Sequence, residues 1–149
     1  MDEIDRRILD ILQRDGKVSQ ARIAETVGLT TPSVNERIKK LETRGFIRRF
    51  TALLDPRLLG MPIVAHVDVM LDHPRHERAF LEEVEALLDI QECYAISGDY
   101  GYRLKVRARD LDQLEGLLRE KIQNMRGVAR TRVELSLGIK KDSTLLPLA

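Results

Sequence analysis

Residues 18–47 read VSQARIAETVGLTTPSVNERIKKLETRGFI, and this stretch decides the architecture of the N-terminal part of the chain. Ser19 is a residue type that caps a helix start, because its hydroxyl accepts a bond from an amide left without a partner in the first turn. Ile23, Ala24 and Val27 follow at helical spacing and predict a buried stripe. Gly28 stands where a left-handed residue ends a helix without a Cβ penalty. Leu29 can fill the corner, Thr30 or Thr31 can cap the next helix, and Pro32 lies in its first turn, where a missing N–H costs nothing. Val34, Ile38 and Leu41 fall at i, i+4 and i+7 and form one apolar face. The other face carries Ser33, Glu36, Arg37 and Lys40, with Asn35 and Lys39 at its edges, and Gly45 ends the helix. Helix, tight turn and second helix in this order suit insertion of the second helix into the major groove of double-stranded DNA. Its candidate DNA contacts are Thr31, Ser33, Asn35, Glu36, Arg37 and Lys40.

Upstream, Ile4, Ile8, Ile11 and Leu12 predict an amphipathic helix over residues 1–15 that completes a three-helix core. Downstream, Phe46 to Leu54 is short and partly alternating, and reads as a wing or connecting strand. Arg48 and Arg49 on it are candidates for phosphate contacts. Charge supports this only locally. The whole chain has 25 basic and 24 acidic residues, but residues 1–60 sum to +3 and the remainder to −2. Affinity for a phosphate backbone needs local positive charge rather than a basic chain.

Asp55-Pro56 and Gly60-Met61-Pro62 bracket a turn-rich connection, since proline pushes its predecessor out of the helical region. The expected organisation is a DNA-binding domain over 1–50, a linker over 51–62, a second domain over 63–141 and a tail over 142–149. Ile63, Ala65, Val67, Val69 and Leu71 alternate with Val64, His66, Asp68 and Met70, a strand with one apolar face. His76 to Asp89 predicts a helix with Phe80, Leu81, Val84, Leu87 and Leu88 inward, and Ile90 to Ser97 a second strand. Gly98 to Gly101 is a turn in which both glycines can take positive φ. Tyr102, Leu104, Val106 and Ala108 mark a third strand, with Arg103, Lys105 and Arg107 on its other face. Asp110 and Gln113 have capping-box spacing at the start of a helix running to Met125, with Leu111, Leu114, Leu117, Leu118 and Ile122 inward. Val128 to Ile139 is the fourth strand.

Strand, helix, strand, strand, helix, strand is the ferredoxin-like βαββαβ order, with both helices on one sheet face. The expected fold class is therefore α+β, a three-helix winged helix-turn-helix domain followed by a ferredoxin-like domain. The open face, carrying Val64, His66, Met70 and the strand arginines, points to self-association into at least a dimer. A dimer suits DNA binding because two recognition helices one turn apart multiply specificity.

No run approaches the ~20 apolar residues a bilayer needs, and the acidic N-terminus is no secretion signal, so a cytoplasmic location and no membrane partner are expected. The single Cys93 excludes an internal disulfide and reads as a small buried hydrophobe, with a redox role as the alternative. His73 and His76 lack cysteines or carboxylates at metal spacing, the glycines are too scattered for a phosphate loop, and no nucleophile–base arrangement emerges. Neither an enzyme nor a resident metal or cofactor is expected.

Taken together, the chain resembles the Lrp/AsnC, or feast/famine, family of transcriptional regulators along essentially its full length. The resemblance rests on Ile4-Asp5-Arg6-Arg7-Ile8-Leu9, Arg37-Ile38-Lys39-Lys40-Leu41-Glu42, Leu54-Asp55-Pro56 with Leu59-Gly60, Glu92-Cys93-Tyr94, Ser97-Gly98-Asp99-Tyr100 and Leu104-Lys105-Val106, in that order, and on the ending Lys140 to Leu148. It implies a C-terminal domain that binds an amino acid or related metabolite, and dimers that assemble further, often to octamers. It also implies an effector site near the turn after the second strand, between subunits, so Gly98, Asp99, Tyr100 and Gly101 are candidates, with Asp110 as a further contact beside its role as an N-cap. Family members commonly carry a second aspartate where this chain has Gly101 and a second threonine where it has Val133, which removes a carboxylate and a hydroxyl from the expected site. Two other functions compete with an effector-gated regulator. One is an architectural DNA-wrapping protein; the other is a tetrapyrrole-decarboxylase-like enzyme, which shares the two-domain layout but would call for a histidine- and arginine-rich pocket in the C-terminal domain, where this chain offers strand arginines but only three histidines.

Overall fold

A computed structural model describes residues 1–148, which cluster into two units. Met1–Leu53 and the tail from Lys141 form the first unit, and Leu54–Lys140 the second.

In the first unit, α1 (Glu3–Arg14), α2 (Gln20–Val27) and α3 (Thr31–Thr43) surround one core. Ile8, Ile23 and Val34 are fully buried there, with Ala24, Val27, Ile38 and Leu41 beside them. The expected caps form. Ser19 Oγ accepts from the Arg22 amide, Thr30 Oγ1 from the Ser33 amide, and Gly28 ends α2 in the left-handed region at φ 72°. Past α3, Gly45 takes φ 77° and lets the Phe46 amide return to the Leu41 carbonyl.

The wing is a correction. Among the described residues no strand covers Phe46 to Leu54. An extended segment needs a neighbour to accept its backbone bonds, and here Phe50, Leu53 and Leu54 stand exposed.

In the second unit, β1 (Ile63–Leu71), β2 (Ile90–Ala95), β3 (Tyr102–Ala108) and β4 (Val128–Leu135) form one sheet in the order β2-β3-β1-β4. Every neighbouring pair is antiparallel, the arrangement expected of the ferredoxin-like order. The inward residues of β1 and β3 pack with Phe80 and Val84 of α4 (Glu77–Ala86), Leu114 of α5 (Leu111–Gly116), and Leu117, Ile122 and Met125 beyond it.

The helices depart from the sequence expectation in three respects. The first is a short 3-10 turn, Pro74–His76, that precedes α4, while Leu81 and Leu88 lie outside the core at 39% and 95% exposure. The second is that the helix after Asp110 is not uniform. It passes from α5 into a π turn, Leu117–Lys121, and a 3-10 turn, Ile122–Asn124. Leu117 and Ile122 are five apart and both buried, a spacing that a π turn places on one face and an α-helix does not. Leu111, assigned to that face, is exposed. The third is that the capping box is only half formed: Asp110 accepts from the Gln113 amide, but Gln113 Oε1 takes the Arg109 amide instead of the Asp110 amide. The fourth strand also stops at Leu135 rather than Ile139: Leu135 lies opposite Ala65, and one further bond, from the Ser136 amide to the Val64 carbonyl at 2.9 Å, ends the ladder.

Candidate functional site

The proposed reading face of α3 is present, but its residues do different jobs. Thr31, Glu36, Lys39 and Lys40 are exposed, and Lys40 Nζ pairs with Glu36 Oε1 at 2.6 Å one turn away. That pair is two-thirds exposed on both sides, so solvent screens it and it can open towards a phosphate. Ser33 lends its backbone amide to the Thr30 cap, and Asn35 accepts from Gln20 Nε2 at 3.3 Å, tying α3 to α2.

Arg37, a candidate base contact that could instead help hold the helix-turn-helix together, makes two charge-assisted bonds within the unit. Its Nη1 donates to Asp2 Oδ2 at 2.8 Å and to Asp5 Oδ1 at 2.7 Å. Those two aspartates already cap α1 reciprocally, with Asp2 accepting the Asp5 amide at 2.8 Å and Asp5 accepting the Asp2 amide at 3.1 Å. Arg37 thus joins the recognition helix to the N-terminus of α1. The Asp5 amide and then the Arg37 guanidinium hold the Asp2 carboxyl below the usual carboxylate range. The Asp2-x-x-Asp5 spacing is a local signal that the sequence reading did not use, whereas Arg37 lies 32 residues from Asp5 and carries no local signal for the contact.

Arg48 and Arg49 are exposed on an irregular segment, and Arg44 lies over the Phe46 ring at 5.1 Å. The cations Lys39, Lys40, Arg44, Arg48 and Arg49 therefore follow one another from the exposed side of α3 into the chain just beyond it.

In the second unit, the turn after β2 is built by a single left-handed residue. Gly98 takes φ 112°, but Gly101 stays outside the left-handed region, which corrects the expectation for it. Gly101 instead extends the sheet: its amide donates to the Val69 carbonyl at 3.1 Å, and its carbonyl accepts from the Ile96 amide at 2.9 Å. A Cβ placed on Gly101 would meet nothing within 4 Å. Asp99 is exposed. Tyr100 lies beneath two guanidinium groups, Arg132 at 5.0 Å and Arg130 at 5.9 Å from its ring centroid. Asp110 does not join this group within the chain. It caps α5 beyond the far end of β3, and seven strand residues separate it from the turn, about 23 Å at 3.3 Å per residue.

The open sheet face is less apolar than its alternation suggested. Asp68, 2% exposed, accepts from Arg103 Nε at 2.6 Å and Arg132 Nη2 at 2.5 Å, and Glu134 flanks both arginines. The Arg103 guanidinium, outweighing burial, holds the Asp68 carboxyl below the usual range. Lys105 pairs with Glu92 at 3.0 Å. Cys93 is half-buried against the core, and burial pushes its thiol up, so it is protonated and packs as a hydrophobe. Among the described residues no cluster of His, Cys, Asp and Glu could hold a metal ion, and no helix is long and apolar enough to cross a membrane.

Two family models account for both units. Residues 1–42 match the AsnC-type helix-turn-helix domain, and residues 48–146 match the Lrp/AsnC ligand binding domain. The chain is a member of the Lrp/AsnC family. That family consists of transcriptional regulators, not enzymes. The leucine-responsive regulatory proteins of Escherichia coli K12 and Klebsiella pneumoniae are each 37% identical to it over 148 residues, covering 98% of this chain and 90% of theirs. A transcriptional regulator of Neisseria meningitidis, solved as a complex with L-methionine, superposes with a TM-score of 0.94 at 26% identity, covering 99% of this chain and 97% of that one. An AsnC family regulator of Agrobacterium tumefaciens superposes at 0.92 with 32% identity and the same coverages. This Lrp/AsnC protein is thus a transcriptional regulator with a helix-turn-helix domain and a ligand-binding domain.

Proposed function

We propose that the chain is a sequence-specific DNA-binding regulator whose DNA binding or assembly is modulated by an amino acid or a related small metabolite. The observation that carries this reading is the α2–Gly28–α3 corner, which leaves Thr31, Glu36 and Lys40 exposed on one side of a helix whose other side is core. Thr31, Ser33, Asn35, Glu36 and Lys40 face base edges and phosphates, Arg37 orients the helix, and Arg48 and Arg49 anchor the backbone. Self-association through the open sheet face gives at least a dimer, and further assembly sets the spacing of the recognition helices. Gly98, Asp99, Tyr100 and Gly101 form the effector turn, with the complex of the Neisseria relative as the supporting precedent for an amino acid. Asp110, remote from the turn within one chain, reaches an effector only if assembly brings another copy's turn to it. The ligand must bind one assembly better than the other, because equal affinity shifts nothing.

Two measurements test this. Duplexes enriched from a random library by the protein are titrated against it by fluorescence anisotropy, at several salt concentrations. A sequence preference supports the reading; a steep salt slope with little preference identifies an architectural DNA-wrapping protein instead. Scanning fluorimetry against the twenty amino acids at millimolar concentration tests the effector. A ligand at 100-fold its Kd adds ~2.7 kcal/mol to the folded state and raises Tm visibly. A flat panel removes amino acids from the proposal.

A further inference from the structure

We infer that the outer face of α1 is a docking site for extended backbone, occupied by this chain's own C-terminal tail, and that the docked tail acts as a latch on the DNA-binding unit. The contact is specific. Gln13 Oε1 accepts from the Leu146 amide at 2.9 Å, and Gln13 Nε2 donates to the Leu146 carbonyl at 3.0 Å. A residue in extended conformation points its own N–H and C=O to the same side, so one carboxamide can satisfy both as a neighbouring strand would. Leu146 precedes Pro147, which biases it towards that conformation before it docks. The carboxamide is itself oriented, since Gln13 Nε2 also donates to Asp10 Oδ1 at 2.9 Å, and Arg14 grips the same carboxylate from the other side. Beyond the clamp, Leu148 is half-buried and lines a groove of about 770 Å³ with Ile11, Met1 and Thr26.

The consequence is topological. The chain leaves the first unit after Leu53 and returns to it at Lys141, so the DNA-binding unit is connected by two crossings instead of one. A unit tethered twice has fewer orientations to lose when it binds a partner, and therefore binds more tightly than the same unit tethered once. The clamp uses only backbone groups of the tail, so its strength depends on Gln13 and on the extended pre-proline geometry rather than on the Leu146 side chain.

Hydrogen exchange on the full-length chain, followed residue by residue by NMR, tests the latch. The Leu146 amide should exchange about tenfold more slowly than an unstructured amide, as expected for one net hydrogen bond. Gln13→Ala should abolish that protection while leaving the melting of the helical unit in place. Gln13→Glu, which keeps the acceptor but loses the donor, should lie between them. The DNA arm rests on the proposed function and uses a duplex enriched by the wild-type protein. Gln13→Ala should weaken binding about threefold to tenfold. An unprotected Leu146 amide, protection that survives Gln13→Ala, or unchanged DNA affinity after protection is lost overturns the latch. Protection that rises with protein concentration overturns it too, because the tail then docks on a second copy. Failure of the wild type to enrich any duplex defeats the regulator reading alone, since exchange still reads the latch.

Discussion

Arg37 Nη1 lies 2.7 Å from Asp5 Oδ1, joining the middle of the recognition helix to the first turn of α1. Asp5 is 9% exposed, and the same guanidinium reaches Asp2 at 2.8 Å, so one cation ties both members of a capping box. An arginine on the polar face of a recognition helix therefore serves the geometry of the domain.

Arg37→Ala should lower the Tm of the helical unit by roughly 4–8 °C, the shift expected when a domain of this size loses about 1 kcal/mol, because solvent screens the partly exposed pairs with Asp2 and Asp5. DNA affinity should fall with it, uniformly across binding sequences. Circular dichroism melts and anisotropy on the same samples check this; loss of preference at one base pair with unchanged Tm would return Arg37 to base contact.

Arg48→Ala and Arg49→Ala should each weaken DNA binding to all sequences alike and flatten the log–log salt dependence by about one unit. Thermal stability should not move, because both side chains are exposed. Salt titrations on preferred and scrambled duplexes provide the comparison.

Acid should weaken the ferredoxin-like unit through Asp68. Its carboxyl is held below the ordinary value of about 3.9 that it regains on unfolding. Near that value the unfolded chain binds more protons, so stability rises with pH there. The contribution is full above about pH 4–5 and is lost as pH falls through the lower folded value. Urea midpoints at pH 7 and pH 3 should differ less in Asp68→Asn than in the wild type.

Two glycines should respond oppositely. Gly127 has φ 85°, and a Cβ there would lie 2.4 Å from the His76 Cβ, so Gly127→Ala should cost about 3 kcal/mol or more. Gly101 has neither constraint, and Gly101→Asp should fold with an unchanged urea midpoint. Equal losses in the two variants would refute the geometry of the turn.

Gly101→Asp also probes the ligand. It adds a carboxylate beside the turn, which can hold an ammonium group. Fluorimetry against the amino acids should give a larger Tm shift with the variant than with the wild type for at least one of them.

Much of this was legible locally. Ser19, Gly28, Thr30 and Gly45 act through bonds within a few residues, so the helix-turn-helix corner could be read directly, and the period-two alternation of β1 and β3 marked the ferredoxin-like sheet. The missing wing, the π turn after Gly116 and the exposed Leu81 and Leu88 could not be read. Each depends on what lies opposite: a strand without a partner does not form, and an apolar residue is buried only where another element covers it.

The candidate sites divide in the same way. The sequence alone determined that α3 has a polar side, that Gly98 to Gly101 is a turn and that cations crowd residues 37–49, because residue type and spacing are sufficient for those statements. Only the tertiary structure decided that Arg37 belongs to Asp2 and Asp5, that Asp110 stands at the opposite end of β3 from the turn, and that Gln13 holds Leu146. Those relationships join groups far apart in the chain, where a hydrogen bond is set by distance and direction in space and leaves no periodic trace in the sequence.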